Sequence, residues 1–422
     1  MNVRQVGLSI HRTALRVAVG AFVATTLCGT ALAVDDDDPI AAVLRLRAGQ
    51  WSTGFDTGAA GAPKIIGTTP IFSRETTAGI ELAIQRYSEI VAEGGWPEIP
   101  EGQNLKLGAK GPAVEALREW LITSGDLSPT AGVSEVFDSY VDAAVRRFQT
   151  RHGIPSDGVV GPTSTAAMNI TAAARLGQLV KNRDRLNAAM AKLPERFVMV
   201  NVPGAQVEGV EGGRVTTRHT AVVGRIDRPT PMLTSKISEV NFNPFWTVPP
   251  SLIKRDLIPL MQKNPNYIAE EHIRVYDKKG KEISPNQINW NTDQATQYLF
   301  RQDPGDWNSL GSVRINFPSP YGVYMHDTPS KGLFNEEFRF DSSGCVRVQN
   351  IQQLITWLLR DNAGWNRARV DGMFTNNQRL DVKLASPVPL YFAYISAWAQ
   401  QDGVVHFRDD IYNQDGLQVA NR

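Results

Sequence analysis

The sequence predicts an α+β, multidomain chain: a helical scaffold and a small three-helix module, followed by a β-rich region that carries an inserted cap. Three observations predict it. Apolar residues recur at helical spacing in the segments before Leu193. From Arg196 onward the pattern turns to short alternating runs closed by Gly and Pro. The 422 residues suggest more than one domain.

Residues 1–33 open the chain with Arg4, Arg12 and Arg16, then an apolar run from Val17 to Ala33 that closes on Ala31-Leu32-Ala33. A basic start, an apolar centre and an A-x-A site read as a secretory signal peptide. The run is short and rich in Ala, Thr and Gly, so it spans a bilayer poorly; an uncleaved anchor is the alternative reading. Cys28 follows Leu27 and not a small residue, which argues against lipid attachment. Asp35 to Asp38 is a solvated acidic stretch with no evident task. No other segment is apolar enough to cross a membrane, and a formal net charge of +1 gives no global field for nucleic acid.

Residues 34–104 read as scaffold. Within them Ile80 to Val91 has helical spacing and Gly94-Gly95-Trp96-Pro97 ends it. Residues 105–170 read as a compact helical unit. Leu107-Gly108-Ala109-Lys110-Gly111 is a turn, and Val114 to Ile122 is a helix with Val114, Leu117, Leu121 and Ile122 on one face. Tyr140 to His152 is the second helix, and Thr163 to Met168 begins the third after Asp157-Gly158-Val159-Val160-Gly161-Pro162. Residues 171–195 hold a charged connecting helix, Leu176 to Leu193, stopped by Pro194.

Residues 196–412 read as one β-rich domain. Phe197 to Val202, Val207 to Glu211 and Val215 to Val223 form a hairpin series around Pro203-Gly204 and Gly212-Gly213. Residues 252–306 interrupt it and read as a lid or cap over a site, with a plain surface excursion as the alternative. Strand signals return at Val313 to Phe317 and Val323 to Met325, and Ile351 to Leu359 is a buried helix. Val388 to Ile395 and Val404 to Phe407 are expected to pair as a closing hairpin. Residues 413–422 form a tail whose end is expected to fray.

The chain has two cysteines, and removal of the signal segment leaves Cys345 alone. A lone thiol outside the cytoplasm cannot form an internal disulfide and is exposed to oxidation, so a chemical task explains it better than packing does. Attack requires the thiolate, and a nearby histidine can take the proton or hold an ion pair with the sulfur. Of the six histidines, His11 leaves with the signal, His152 ends a module helix and His272 lies in the insertion. His219 and His406 fall on strands without polar companions. His326 ends a β run shortly before Ser342-Ser343-Gly344-Cys345-Val346-Arg347 and is the candidate base. Gly344 lets the backbone turn sharply, so that amides of Ser343, Gly344 and Cys345 can converge on an oxyanion. Arg347 shares a face with Cys345 in an extended segment and suits a carboxylate. The bland reading is a buried small hydrophobe and an unrelated structural histidine. No His, Cys, Asp or Glu cluster has ligand spacing, so neither a metal nor a cofactor is expected.

Two resemblances follow from these residues. The run Leu105-x-x-Gly108-x-x-Gly111, Ala144-Val145-Arg146-Arg147-Phe148-Gln149 and Asp157-Gly158-Val159-Val160-Gly161-Pro162 resembles the peptidoglycan-binding type 1 domain. Tyr324-x-His326-Asp327-Thr328-Pro329 with Ser342 to Val348 resembles the signature of L,D-transpeptidases with a YkuD-type catalytic domain, and the element order is similar to the YcbB-like subgroup. Val223-Gly224-Arg225, Arg228 to Pro231 and Asn243-Pro244-Phe245-Trp246 extend the likeness. Many members carry a histidine directly before Gly-Cys; this chain has Ser343 there.

The resemblance implies a periplasmic enzyme whose Cys345, deprotonated by His326, is acylated by a peptidoglycan stem tetrapeptide with release of D-alanine. A second stem amine then makes a 3→3 cross-link. Gly344 would supply an oxyanion amide. Arg347, Ser343, Tyr324 and Trp246 would contact the stem, with ordinary core packing as the alternative for the two aromatics. Partners so implied are stem peptides and glycan, with an outer-membrane protein amine as a further acceptor and no nucleic acid. Carbapenems are expected to acylate the same sulfur. Water as acceptor gives an L,D-carboxypeptidase, and a silent catalytic domain gives a wall-binding protein.

Overall fold

A computed structural model describes residues 67–400 and 402–416, all within the unit Gly58–Arg422. The expected signal segment with Cys28, the acidic run Asp35 to Asp38, the start of the scaffold and the end of the tail lie outside the described residues. No helix of the described residues is long and apolar enough to cross a membrane.

Helix α1 (Arg74–Ala92) starts at Ser73, whose hydroxyl accepts the Thr76 amide, and it buries Ile80, Ala83, Tyr87 and Ile90. The module follows as α2 (Pro112–Ser124), α3 (Ser139–His152) and α4 (Pro162–Met168). Asp138 caps α3 by accepting the Tyr140 and Val141 amides, and Gly125 and Gly153 end α2 and α3 at φ 80 and 72. Their apolar faces meet in a core around Leu117, Trp120, Val145 and Phe148. Helix α5 (Ala172–Met190) is more than a connector. Its Gln178 and Asn182 are buried and bond to Ser396 and Arg408 of the C-terminal segment.

Four strands open the β domain: β1 (Arg196–Asn201), β2 (Gln206–Glu211), β3 (Arg214–Gly224) and β4 (Leu233–Phe242). The insertion contributes β5 (Trp246–Thr247), β6 (Ile273–Tyr276), β7 (Glu282–Ile283) and β8 (Leu299–Gln302). Then come β9 (Val313–Asn316), β10 (Met325–His326), β11 (Phe340–Ser342), β12 (Val346–Val348) and β13 (Leu380–Ala393). The main sheet runs β11-β3-β12-β10-β9-β4-β13-β1-β2, and β2 pairs back onto β3, so the sheet closes on itself. Helices α6 (Ile351–Leu358) and α7 (Arg367–Thr375) pack into the core enclosed by it.

Strand β1 is buried on both faces, which is why Phe-Val-Met-Val lacks polar alternation. Val198 and Val200 join the barrel core, while Phe197 and Met199 join a second core with α1, α5 and the last hairpin. That hairpin is β14 (Ala397–Ala399) with β15 (Val405–Phe407). The expected hairpin partner, Val388 to Ile395, instead belongs largely to β13 and pairs with β4 and β1. Pro387 lies in the register shift between Lys383 and Val388, which absorbs it, and the strand continues.

The insertion is a folded unit. It has its own sheet, ordered β5-β8-β6-β7, and its own core around Val248, Ile253, Leu257, Val275 and Phe300. It starts at Trp246, earlier than residue 252, because β5 already pairs with β8.

A buried ion pair inside the module holds Arg151 where it meets the last hairpin. Arg151 Nη2 lies 2.5 Å from Asp126 Oδ2, with side chains 7% and 6% exposed, and Arg151 Nη1 donates to Val405 O at 3.3 Å. The His152 ring stacks on Phe407 at 5.4 Å. Breaking a buried pair strands an uncompensated charge at a cost of about 3–5 kcal/mol, whereas an exposed pair contributes about 0–1 kcal/mol. Asp126→Asn is therefore expected to lower the urea midpoint clearly, and Arg367→Ala, which breaks the exposed pair with Asp371, is expected to leave it nearly unchanged. Equal small shifts in both variants contradict that weight for the buried pair.

Candidate active site

Strand β10 lies between β9 and β12, and the register across the three strands sets the site. Met325 faces Ile315 on one side and Val346 on the other, and all three side chains enter the barrel core. Side chains alternate along a strand, so the neighbours of Met325 point the opposite way. His326 then stands opposite Arg314 on β9 and Arg347 on β12. The Val346 amide donates to Tyr324 O at 3.1 Å, which places Cys345 beside Tyr324 and diagonally across from His326. Tyr324, His326, Cys345 and Arg347 thus share one face. The Tyr324 and His326 rings meet edge-on at 5.7 Å.

His326 is buried, and its Nδ1 bonds to Asp327 O. A carbonyl only accepts, so Nδ1 carries the proton and Nε2 keeps its lone pair. Asp327 is itself fixed: its amide donates to Val313 O at 2.9 Å, its carboxylate accepts the Ser312 amide at 3.1 Å, and Lys331 pairs with it. Gly311, at φ 58, is required here because a Cβ would lie 2.5 Å from that carboxylate.

The nucleophile turn is built on Ser342. Its buried hydroxyl accepts the Gly344 amide at 3.1 Å and donates to Cys345 O at 2.5 Å. Gly344 sits at φ 109, a conformation closed to residues with a Cβ. The Gly344 amide, expected to face the oxyanion, is thus already engaged. The amides of Ser343 and Cys345 make no hydrogen bond to other described residues. The Gly344 carbonyl accepts from Thr230 Oγ1 at 3.0 Å, and Ser343 Oγ accepts from Arg228 Nη1 at 3.0 Å.

Tyr324 connects the site to the root of the insertion. Trp246 Nε1 donates to the Tyr324 hydroxyl at 2.9 Å. The Arg314 guanidinium lies 5.5 Å over the Tyr324 ring. Cys345 is partly buried; loss of water pushes its thiol up to about 11, opposed by hydrogen bonding from Tyr324 and by Arg347. Burial and then Arg347 push His326 down to about 3. The resting pair is a thiol beside a neutral imidazole, not an ion pair, and no hydrogen bond between them occurs among the described residues.

All seven residues singled out from the sequence except Trp246 lie on the β10–β12 wall or its turn, and Trp246 reaches that wall through Tyr324. Arg314, and the contacts made by Arg228 and Ser342, were not read from the sequence. Arg314 had a signal, since it alternates with the apolar Val313 and Ile315. Arg228 and Ser342 were quoted only for the family likeness; the partner of Arg228, Asp256, is distant in the chain, and the hydroxyl of Ser342 is aimed by the turn itself. His219 does have polar companions, Thr217 Oγ1 at 2.6 Å and Gln349 O at 2.9 Å, whereas His406 stacks on Trp398 with both ring nitrogens unpartnered among the described residues.

Residues 195–375 match the family model described as "L,D-transpeptidase catalytic domain", and residues 110–168 match "Putative peptidoglycan binding domain". A protein of Haemophilus influenzae named "Putative L,D-transpeptidase" is 36% identical over 219 residues, covering 52% of this chain and 44% of that protein. The chain therefore spans under half the length of this curated relative. Among solved structures, an L,D-transpeptidase from Stackebrandtia nassauensis is 14% identical at TM-score 0.26, covering 70% of this chain and 96% of that one. One from Mycobacterium smegmatis is 13% identical at TM-score 0.23, covering 47% and 58%. Overlaps this slight establish neither fold nor site.

A thiol held near 11 is mostly protonated at neutral pH, and its thiolate fraction rises with pH up to that value. Alkylation of Cys345 by iodoacetamide is expected to climb steadily from about pH 6 to about pH 10 with no acidic plateau. A plateau below about pH 7 would reveal a preformed thiolate–imidazolium pair and contradict this account.

Proposed function

We propose that this chain is a periplasmic cysteine acyltransferase acting on peptidoglycan stem peptides; the matches of residues 195–375 to an L,D-transpeptidase catalytic domain model and of residues 110–168 to a peptidoglycan binding domain model support this reading. The observation that carries this reading is the β10–β12 pairing, which puts a histidine with a free Nε2 and a cysteine in a Ser-Gly-Cys turn on one face.

In the reaction, Cys345 Sγ attacks the amide carbonyl between meso-diaminopimelate and D-alanine of a stem tetrapeptide, and its proton passes to His326 Nε2. The carbonyl oxygen becomes an oxyanion held by the amides of Cys345 and Ser343. Gly344 contributes the left-handed turn that aims them, not its own N–H. Collapse of the intermediate expels D-alanine, whose amine takes the proton from the imidazolium, and leaves a thioester on Cys345. A side-chain amine of a second stem attacks the thioester; it loses a proton to His326 and restores the thiol. The product is a 3→3 cross-link.

The neutral resting state suits this sequence. A base with pKa depressed by Arg347 and burial stays unprotonated at neutral pH, and the proton moves only when an acyl group is present. Arg314 and Arg347 flank His326 in the ladder and supply positive charge for stem carboxylates. Tyr324 and Trp246 line the groove toward the cap. The binding module would hold glycan or stem nearby. Hydrolysis, or transfer to a protein amine, differs only in the acceptor that reaches the thioester.

Purified protein incubated with disaccharide tetrapeptides is expected to yield cross-linked dimers with loss of D-alanine. Intact mass after meropenem exposure is expected to show one adduct on wild type and none on Cys345→Ala. His326→Gln should slow acylation by about 10²- to 10⁴-fold. Shortened monomers alone would support the carboxypeptidase, and no adduct and no product would leave a wall-binding protein.

A further inference from the structure

The cap reaches the nucleophile turn through one arginine. Arg228 Nη1 and Nη2 donate to Asp256 Oδ2 and Oδ1 at 2.7 and 2.6 Å, and Nη1 also donates to Ser343 Oγ at 3.0 Å. Asp256 lies on the helical turn Ile253–Leu257 of the insertion, whose apolar residues belong to the core of that unit. Ser343 directly precedes Gly344-Cys345. The Arg228 side chain is 12% exposed; its Nε makes no hydrogen bond and lies 3.6 Å from the Asp227 carboxylate.

The backbone that carries Arg228 has little freedom. The Gly224 amide donates to Thr230 Oγ1 at 2.8 Å, and Thr230 Oγ1 donates to Gly344 O at 3.0 Å. The Tyr412 hydroxyl accepts the Thr230 amide at 3.1 Å and donates to Gly224 O at 2.5 Å. A Cβ on Gly224 would lie 2.2 Å from Arg228 O, so this approach requires glycine. With the loop fixed at both ends, the hydroxyl of exposed Ser343 is tied only to Arg228, and Arg228 is oriented by a carboxylate from the cap. A two-point carboxylate–guanidinium pair fixes direction as well as distance. Asp256 is partly exposed, so the pair adds little to stability and its effect is geometric.

We propose that Arg228 is a positioning residue that couples the seat of the cap, through Asp256, to the Ser343-Gly344-Cys345 turn. The Ser343 and Cys345 amides converge on an acyl oxygen only while that carboxylate is in place. The acyl chemistry in this statement rests on the proposed transferase; the mechanical coupling does not.

Asp256→Asn, Ser343→Ala and the double variant separate the possibilities. Acylation by meropenem needs the oxyanion amides, whereas alkylation by iodoacetamide needs only the thiolate. Acylation is expected to fall about tenfold in each single variant, and by no more than about twofold further in the double variant, because both act through Arg228. Alkylation should stay within about twofold of wild type. Amide hydrogen exchange over residues 340–348 should speed up in Asp256→Asn, with no further gain in the double variant. Arg228→Lys, which keeps the charge but not the fork, should behave like Asp256→Asn. Multiplicative losses in the double variant, parallel changes in both reactions, or unchanged exchange overturn the coupling. If wild type takes no acyl group, the transferase reading falls, while hydrogen exchange still decides the coupling.

Discussion

The site depends on a short parallel pairing, in which Met325 and His326 lie beside Val346 and Arg347. Parallel neighbours keep the same order along both strands, so residues alternate in phase. Two apolar side chains then enter the core, and everything reactive faces outward. A one-residue slip would bury His326 and Cys345 among aliphatic groups and expose Met325 and Val346. The apolar demand of the barrel core is thus what fixes the register of the chemistry.

From that constraint the electrostatics follow. The site residues are buried or partly buried, and dehydration disfavours both the thiolate and the imidazolium. The two groups are driven apart in proton affinity, with sulfur at about 11 and imidazole at about 3. Arg347 strengthens the effect on His326, whereas Arg347 and Arg314 weaken it on Cys345. In the proposed acyl transfer, such a site keeps its thiol protonated until an acyl donor supplies developing negative charge for the backbone amides to hold.

Much of this was legible in the sequence because it is local. The helices of the module, the glycine-bracketed turn before α4, the strand onset at Arg196 and the Gly344-Cys345 turn all follow from short-range rules of periodicity and backbone freedom. The insertion was placed late because β5 is only two residues long and its pairing partner, β8, is distant in sequence. The first strand of the final hairpin was misplaced because Val388 to Ile395 reads as a strand in sequence, while the partners it pairs with, β4 and β1, are distant in the chain. The Gly344 amide was assigned to the oxyanion because sequence shows that a turn exists but not which hydroxyl closes it. The contact of Arg228, a residue quoted only for the family likeness, was hidden for a related reason: a salt bridge to Asp256 joins two segments whose proximity only the fold creates.

Nitrogen NMR of the His326 ring tests the central claim most directly. A neutral imidazole with its proton on Nδ1 should persist from about pH 5 to about pH 9 and be unchanged by Cys345→Ser. A doubly protonated ring at neutral pH that turns neutral when the sulfur is removed would show a resting ion pair and contradict the account.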